Sequence, residues 1–286
     1  MPALIDLRRR IKSVKNTQQI TQAMKTVSTA KFKKAQRKVV ESRPYWHNSP
    51  ALMSCLAAWA EECDSPLLAE RDEHRIHVVV MASDKGLCGA FNSNLFSRTQ
   101  AFLCEKAKTA EVRLMLIGKK AVNFFKRQSY PVDLAFAEKV EKLSLGELRN
   151  ISRDLMRLYA FQKTDGVYIA YNEYKSILAP RITLVRVLPI PVPEEGTCGA
   201  VAPDWEPGER QILEHLLPLY MESQIFHGFF ESLAAEQAAR MMAMENATRN
   251  AEDLISDLFL ILNKIRQASI TKELLEIMTA VEALAK

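Results

Sequence analysis

Apolar residues recur at helical spacing over both ends of the chain and fall into short strand-like runs through its middle. Leu4, Leu7, Ile11 and Val14 are spaced three, four and three apart, which is the seam of a coiled coil. They open a stretch, Leu4 to Ser42, that contains neither glycine nor proline. At the α-helical rise it spans ~60 Å. Pro2 stands just ahead of it, and Asp6 suits the dipole of the first turn. Farther along, the seam turns polar at Gln18, Thr21 and Gln22, beside Ile20, Met24 and Val27. A polar seam weakens self-association but can fix register or face a moving partner. Pro44 is expected to kink or end this helix, because its ring opposes the preceding turn. Ser49 and Pro50 then read as the N-cap and first residue of a further helix to about Glu61.

The other end is longer. Leu219 to Lys286 is 68 residues without a proline and with one glycine, Gly228, and eleven of its residues are alanine. Such propensities, summed over so long a window, predict a helix of roughly 100 Å. Glu245, Arg249, Asp253, Asp257, Lys264 and Arg266 recur too often for a membrane span, so the stretch is a rod. From Ile261 its apolar residues leave the narrow stripe: Ile261, Leu262, Ile265, Ile270, Leu274, Leu275, Ile277, Met278, Val281 and Leu284 lie around much of the circumference. A helix of that kind is normally enclosed by protein.

All nine glycines lie between Gly86 and Gly228. There the pattern alternates. Strands are expected at Ile76–Ala82, Val112–Ile117, Val132–Phe136 (an edge), Val167–Tyr171 and Ile182–Leu188. Helices are expected at Ser93–Lys108, Lys119–Arg127 and Leu145–Gln162. Alternation of this kind implies βαβ units and a mostly parallel sheet. Pro189, Pro191 and Pro193 end the last strand, residues 194–208 form a loop, and Glu209–Leu217 begins the final helix, kinked at Pro218.

The expected architecture is therefore α/β: a long antiparallel coiled coil of the N- and C-terminal helices plus a central Rossmann-like α/β domain. The divisions are an N-terminal coiled-coil helix over 1–61, a central α/β domain over 75–195, and a C-terminal coiled-coil helix over 209–286. If Ser42 lies near Tyr220, the N-terminus reaches about Leu260 and leaves ~26 residues, ~39 Å of helix, to project alone. That projecting piece is the one apolar on more than one face. Another chain must cover it.

Composition narrows the class. The chain is 48% hydrophobic and 26% charged, ordinary for a globular protein. No N-terminal signal region and no span-length apolar run is present. Cys55, Cys63, Cys88, Cys104 and Cys198 are odd in number and form no CxxC pair, which argues for reduced thiols. The net charge of +5 conceals an asymmetry: residues 1–43 carry twelve basic groups against Asp6 and Glu41, whereas residues 219–286 carry six basic and ten acidic groups. Such arms can pair with each other or with outside partners.

No catalytic constellation emerges. The stretch SDKGLCGAFN, Ser83–Asn92, follows a strand and precedes a helix, where phosphate-cradling loops sit, yet it matches neither GxxxxGK[ST] nor GxGxxG. It reads better as a tight turn. His47, His74, His77, His215 and His227 lack metal-ligand spacing, and no GxSxG marks a nucleophile. The pairs Glu61-Glu62 and Glu194-Glu195 read as solvated. Catalytic, cofactor-binding and metal sites are all expected to be absent. The basic first helix could instead grip nucleic acid by counterion release, although an apolar seam runs through its charges.

Three stretches together resemble the gamma subunit of the rotary F-type ATP synthase: IKSVKNTQQITQAMKTVSTAK (Ile11–Lys31), SDKGLCGAFN (Ser83–Asn92), and EQAARMMAMENATRNAEDLI with NKIRQASITKELLEI near the C-terminus. The resemblance is ordered and spans essentially the whole chain. It implies that the terminal helices form an axle inside a ring of alternating alpha and beta subunits. The α/β domain would be a foot resting on the membrane rotor c-ring beside the epsilon subunit. The role implied is mechanical and non-catalytic, coupling proton translocation to ATP synthesis on the beta subunits, at the cytoplasmic face of a bacterial inner membrane. No cofactor, nucleic acid or membrane insertion is implied. By match of segments, Met24 and Lys25 would face acidic loops of the beta subunits, and Arg240, Arg266, Gln267 and Thr271 would contact the surrounding ring. Arg8 and Arg9 would lie near the same level. Plant-type relatives carry a dithiol switch in the foot, whereas Cys198 stands alone in its loop. The alternatives on the residues themselves are a nucleic-acid-binding coiled-coil protein and a static scaffold.

Overall fold

A computed structural model of the chain describes residues 2–59, 65–137, 140, 143–176, 181–191, 206 and 208–284. The loop expected over 194–208, Cys198, and the pairs Glu61-Glu62 and Glu194-Glu195 therefore fall wholly or almost wholly outside the described residues. The elements in chain order are α1 (Pro2–Trp59), β1 (Arg75–Met81), α2 (Phe91–Lys106), β2 (Glu111–Ile117), α3 (Lys119–Phe125), β3 (Val132–Phe136), α4 (Leu145–Ala160), β4 (Gly166–Glu173), β5 (Arg181–Leu188) and α5 (Glu209–Leu284). The chain divides into two compact units, one of residues 1–28 with 241–286 and one of residues 29–240.

The larger unit is a sheet in the order β3-β2-β1-β4-β5. β1, β2, β3 and β4 run parallel to one another, and β5 closes one edge antiparallel to β4. Successive side chains alternate between two faces, and both faces are covered, so the central strands are apolar throughout rather than alternating. Ile76, Val78 and Val80 pack with Leu95 and Leu103 of α2 and Ala121, Val122 and Phe125 of α3. Val79 and Met81 pack on the opposite side with Leu148, Ile151, Leu155 and Tyr159 of α4, Leu213, Leu217, Met221 and Ile225 of α5, and Met53 of α1. Ser144 opens α4 with a capping box, its hydroxyl accepting from the Glu147 N–H while the Glu147 carboxylate accepts from the Ser144 N–H. Gly118 starts α3 at φ 103°, where a Cβ would lie 2.2 Å from the Ala82 carbonyl oxygen. Only glycine fits that approach.

The helix end allowed at Pro44 and the new start expected at Ser49-Pro50 are not found. α1 does not stop or restart at Pro44 and Pro50 but runs through both as one helix. A proline inside a helix costs about 3 kcal/mol through the lost hydrogen bond and the ring clash. Packing on the far side offsets it: Trp46 is buried against the ring of His227 at 4.4 Å, Met53 is in the core, and Arg43 pairs with Glu231 at 3.3 Å. α5 likewise runs through Pro218. α1 also begins at Pro2 itself, so Asp6 lies beyond its first turn, where it pairs with Arg9 at 3.2 Å.

The smaller unit is an antiparallel pair of helix segments. Gln18 donates to Glu252 at 2.9 Å, the hydroxyls of Thr21 and Thr248 meet at 2.8 Å, and Lys25 pairs with Glu245 at 3.4 Å. The seam is narrow and partly polar: Ile11, Thr21 and Ser28 are buried opposite Met244, Thr248, Ala251 and Leu258, whereas Ile20 and Val27 point outward. These pairs set a register shifted by about eight residues from the one expected. The last half-buried residue of α5 is Ser269, and the N-terminus thus covers more of the helix than its length in sequence suggested.

Candidate functional site

Beyond Ser269 every residue from Ile270 to Val281 is exposed. Ile270 is 47% exposed, Leu274 57%, Leu275 60%, Ile277 60%, Met278 69% and Val281 61%. Consecutive turns of a helix carrying large apolar groups on several sides, all in water, form a contiguous apolar surface of the kind that marks a binding site. Ile5, Leu254, Phe259, Leu260 and Ile261 continue exposed apolar surface within the same unit.

The residues singled out from sequence separate into two groups. Arg8, Arg9, Arg266, Gln267 and Thr271 are exposed in the smaller unit, with the Thr271 hydroxyl donating to the Gln267 carbonyl of its own helix at 3.0 Å. Met24 and Lys25 are half-buried in that unit, Lys25 on its bridge to Glu245. Arg240 is different. It is 6% exposed in the larger unit, and its Nη2 reaches Glu236 Oε1 at 2.7 Å and the carbonyls of Lys85 and Gly86 at 3.3 and 3.4 Å. Its hydrogen bonds are made inside this chain.

Those carbonyls belong to the SDKGLCGAFN loop. Ser83 N–H donates to Asn92 Oδ1 at 3.2 Å, the Ser83 hydroxyl meets Lys85 O at 2.8 Å, and Asn92 Nδ2 donates to Cys88 Sγ at 3.2 Å. Burial pushes the Cys88 thiol above its ordinary pKa, although Arg240 nearby works against that, so the group is a packed thiol rather than an activated one. Leu87 stands out from the loop, 62% exposed and at φ 63°, beside an open groove of about 570 Å³ lined by Asn92, Phe96, Lys120 and Phe124. With carbonyls rather than amides turned toward Arg240, the loop grips a cation of its own chain.

Glu231 was not apparent from sequence. It is 1% exposed, accepts from Tyr174 N–H at 2.8 Å and from the Arg43 guanidinium at 3.3 Å, and so ties α1, α5 and the end of β4 together. The available signal was its setting: Glu231, Glu236 and Arg240 stand among Ala234, Ala235, Ala238 and Ala239, and runs of small residues mark close approach of another backbone. Among the described residues no group of three His, Cys, Asp or Glu could hold a metal ion. No helix among them is long and apolar enough to cross a membrane.

A three-layered α/β unit built around a mostly parallel sheet, together with a two-helix segment ending in an exposed apolar helix, points to a protein that works through contact with partners. The comparisons with known proteins specify which. The profile of the ATP synthase family matches residues 3–284. The ATP synthase gamma chain of Pelotomaculum thermopropionicum is 41% identical over 285 residues, covering 99% of this chain and 100% of the relative. That of Solibacter usitatus is 42% identical, covering 99% of each. Among solved structures, a chain of the Euglena gracilis mitochondrial ATP synthase aligns with a TM-score of 0.67 at 19% identity, covering 99% of this chain and 95% of that one. A chain of the Tetrahymena thermophila mitochondrial ATP synthase central stalk and c-ring aligns at 0.61 and 22% identity, covering 80% and 99%. At those identities the structural likeness speaks for the fold. The chain belongs to the ATP synthase gamma chain family, as a non-catalytic subunit of a membrane-associated ATP synthase.

Proposed function

We propose that this chain is the central-stalk rotor subunit of an F-type ATP synthase, transmitting rotation of a membrane ring to the nucleotide sites of the beta subunits. Its partners are the alpha and beta subunits around the two-helix segment, and the epsilon subunit and c-ring at the α/β domain. It performs no chemistry itself. The segments 1–61, 75–195 and 209–286 then serve as first axle helix, foot and second axle helix. It sits peripherally on the cytoplasmic face of a bacterial inner membrane.

The observation that carries the reading is the bare apolar helix from Ile270 to Val281. A surface of that size in water would favour aggregation, and a surrounding apolar sleeve removes the penalty, at about 25 cal/mol per Å² covered. Arg266, Gln267 and Thr271 flank it and would contact the sleeve, with Arg8 and Arg9 on the partner helix. Met24 and Lys25 would meet acidic loops lower on the same unit. Arg240 would reach a partner only by releasing Glu236 and two carbonyls. Nucleic-acid binding and a static scaffold draw no support from the family comparisons.

The test is purification from membranes of a cell expressing a tagged chain. Recovery of a complex that hydrolyses ATP, with this chain at one copy per three catalytic subunits, is the expected result. Recovery of the chain alone, or with nucleic acid, would overturn the reading.

A further inference from the structure

We infer that Arg240 is a positioning residue that locks helix α5 to the sheet, so that torque from the α/β domain enters the helix through the Ser83–Asn92 loop. This rests on the rotor reading above. Four residues of α5, spaced four apart and so on one face of the helix, make the attachment. Gly228 lies so close to Tyr171, Ile169 and Met81 that a Cβ would meet them at 3.3–3.4 Å. Ser232 donates its hydroxyl to the Met81 carbonyl, the last of β1, at 3.1 Å. Glu236 holds the Arg240 guanidinium, and Arg240 in turn holds the carbonyls of Lys85 and Gly86. Ala234, Ala235 and Ala238 pack against Cys88 and Phe91 of the same loop and against Phe32 of α1, their small side chains permitting the approach.

The position of the clamp matters. Arg240 is the last residue of the compact α/β unit. A hydrophobic contact resists separation but slides; a charge-assisted bond to backbone carbonyls fixed by their own hydrogen bonds resists sliding as well. The loop is fixed in that way: Ser83 and Asn92 bridge its two ends, and Asn92 holds Cys88 between them. Asp84 adds two further anchors, accepting from the backbone N–H of Lys119 at 2.9 Å and of Val140 at 2.8 Å. All three acceptors gather around the one Nη2, and the delocalised guanidinium, more weakly hydrated than an ammonium, suits a site only 6% exposed.

The experiment uses membrane vesicles holding the assembled enzyme with Arg240→Gln, Arg240→Lys or Asn92→Ala, each normalised to assembled complex. The quantity read is ATP-driven proton pumping per ATP hydrolysed. Arg240→Gln should lower that ratio about twofold or more, within the range of a lost coupling element. Arg240→Lys should restore part of it. Asn92→Ala loosens the loop without touching Arg240, and it should lower the ratio in the same direction. Hydrogen exchange at Lys85–Gly89 in the purified complex should quicken in both Arg240→Gln and Asn92→Ala. A wild-type ratio in Arg240→Gln, or a fall in Arg240→Gln with none in Asn92→Ala, would overturn the clamp. A wild-type chain that assembles with no ATP-hydrolysing subunits would instead sink the rotor reading.

Discussion

Two stretches of the same helix behave in opposite ways. Near its start, α5 buries Leu213, Leu217, Met221 and Ile225 almost completely against the sheet and α4. Near its end, Ile270, Leu274, Ile277 and Val281 are spaced just as regularly and are about half exposed or more. Sequence patterning is similar in both; the difference is what lies opposite. The first stretch stabilises the fold of this chain. The second has no counterpart among the described residues, and on the proposed reading its apolar groups act through a partner. Stability and coupling should therefore respond to mutations in different places.

The largest effect on stability belongs to the first stretch. Leu217→Ala removes a fully buried side chain between α5, α4 and the sheet and should cost ~2–5 kcal/mol, read as a lowered urea midpoint of the purified chain. A change below about 0.5 kcal/mol would mean that the α5 core is not what holds the larger unit together.

A pH effect should arise from the same unit. Burial holds His77 below the ordinary imidazole value of 6.5, outweighing the pull of Asp133, whose carboxylate sits 2.8 Å from Nε2. The unfolded chain thus takes up a proton more readily than the folded one. The contribution of the neutral ring is complete above about pH 6.5 and is lost as pH falls through the lower folded pKa. Unfolding midpoints at pH 8 and pH 5.5 should differ less for His77→Gln than for the native chain. An unchanged difference would show that other groups set the slope.

Thr21→Val should cost ~1 kcal/mol or less, measured by hydrogen exchange in the smaller unit. The Thr248 hydroxyl keeps the Met244 carbonyl at 2.8 Å when its partner is gone. The smallest effect belongs to the tail. Leu274→Ser with Ile277→Ser should change the stability of the isolated chain by less than about 0.5 kcal/mol, because these side chains are already in water. A larger loss would reveal a contact inside this chain.

The strands and short helices were legible from alternation and turn residues, to within two residues or so at most ends. Three features were not. Pro44 suggested a break because local propensity cannot see Trp46 and Met53 packing on the other side of the helix. The helix register could not be read because loop lengths do not fix it; it is set by contacts distant in sequence, such as Thr21 with Thr248. The bonds of Arg240 to Glu236 and to the Ser83–Asn92 loop are the third, because nothing local marks that arginine as buried; the alanines beside it, which let the loop approach, are the available signal. The exposed tail was legible because apolar residues on all sides of a long helix need enclosure whatever the fold.

The most direct test of that last claim is ATP-driven proton pumping in vesicles carrying chains that end at Met278 or at Ser269. The first loses only the end of the exposed helix and should pump at a reduced but measurable level. The second keeps the whole antiparallel pair, yet it lacks Ile270, Leu274, Leu275, Ile277 and Met278, each worth ~1.5–3 kcal/mol if fully buried by a partner. Its pumping, per assembled complex, should fall much further. Pumping equal to that of the full-length chain would contradict the account, because the bare apolar helix would then have no partner to couple to.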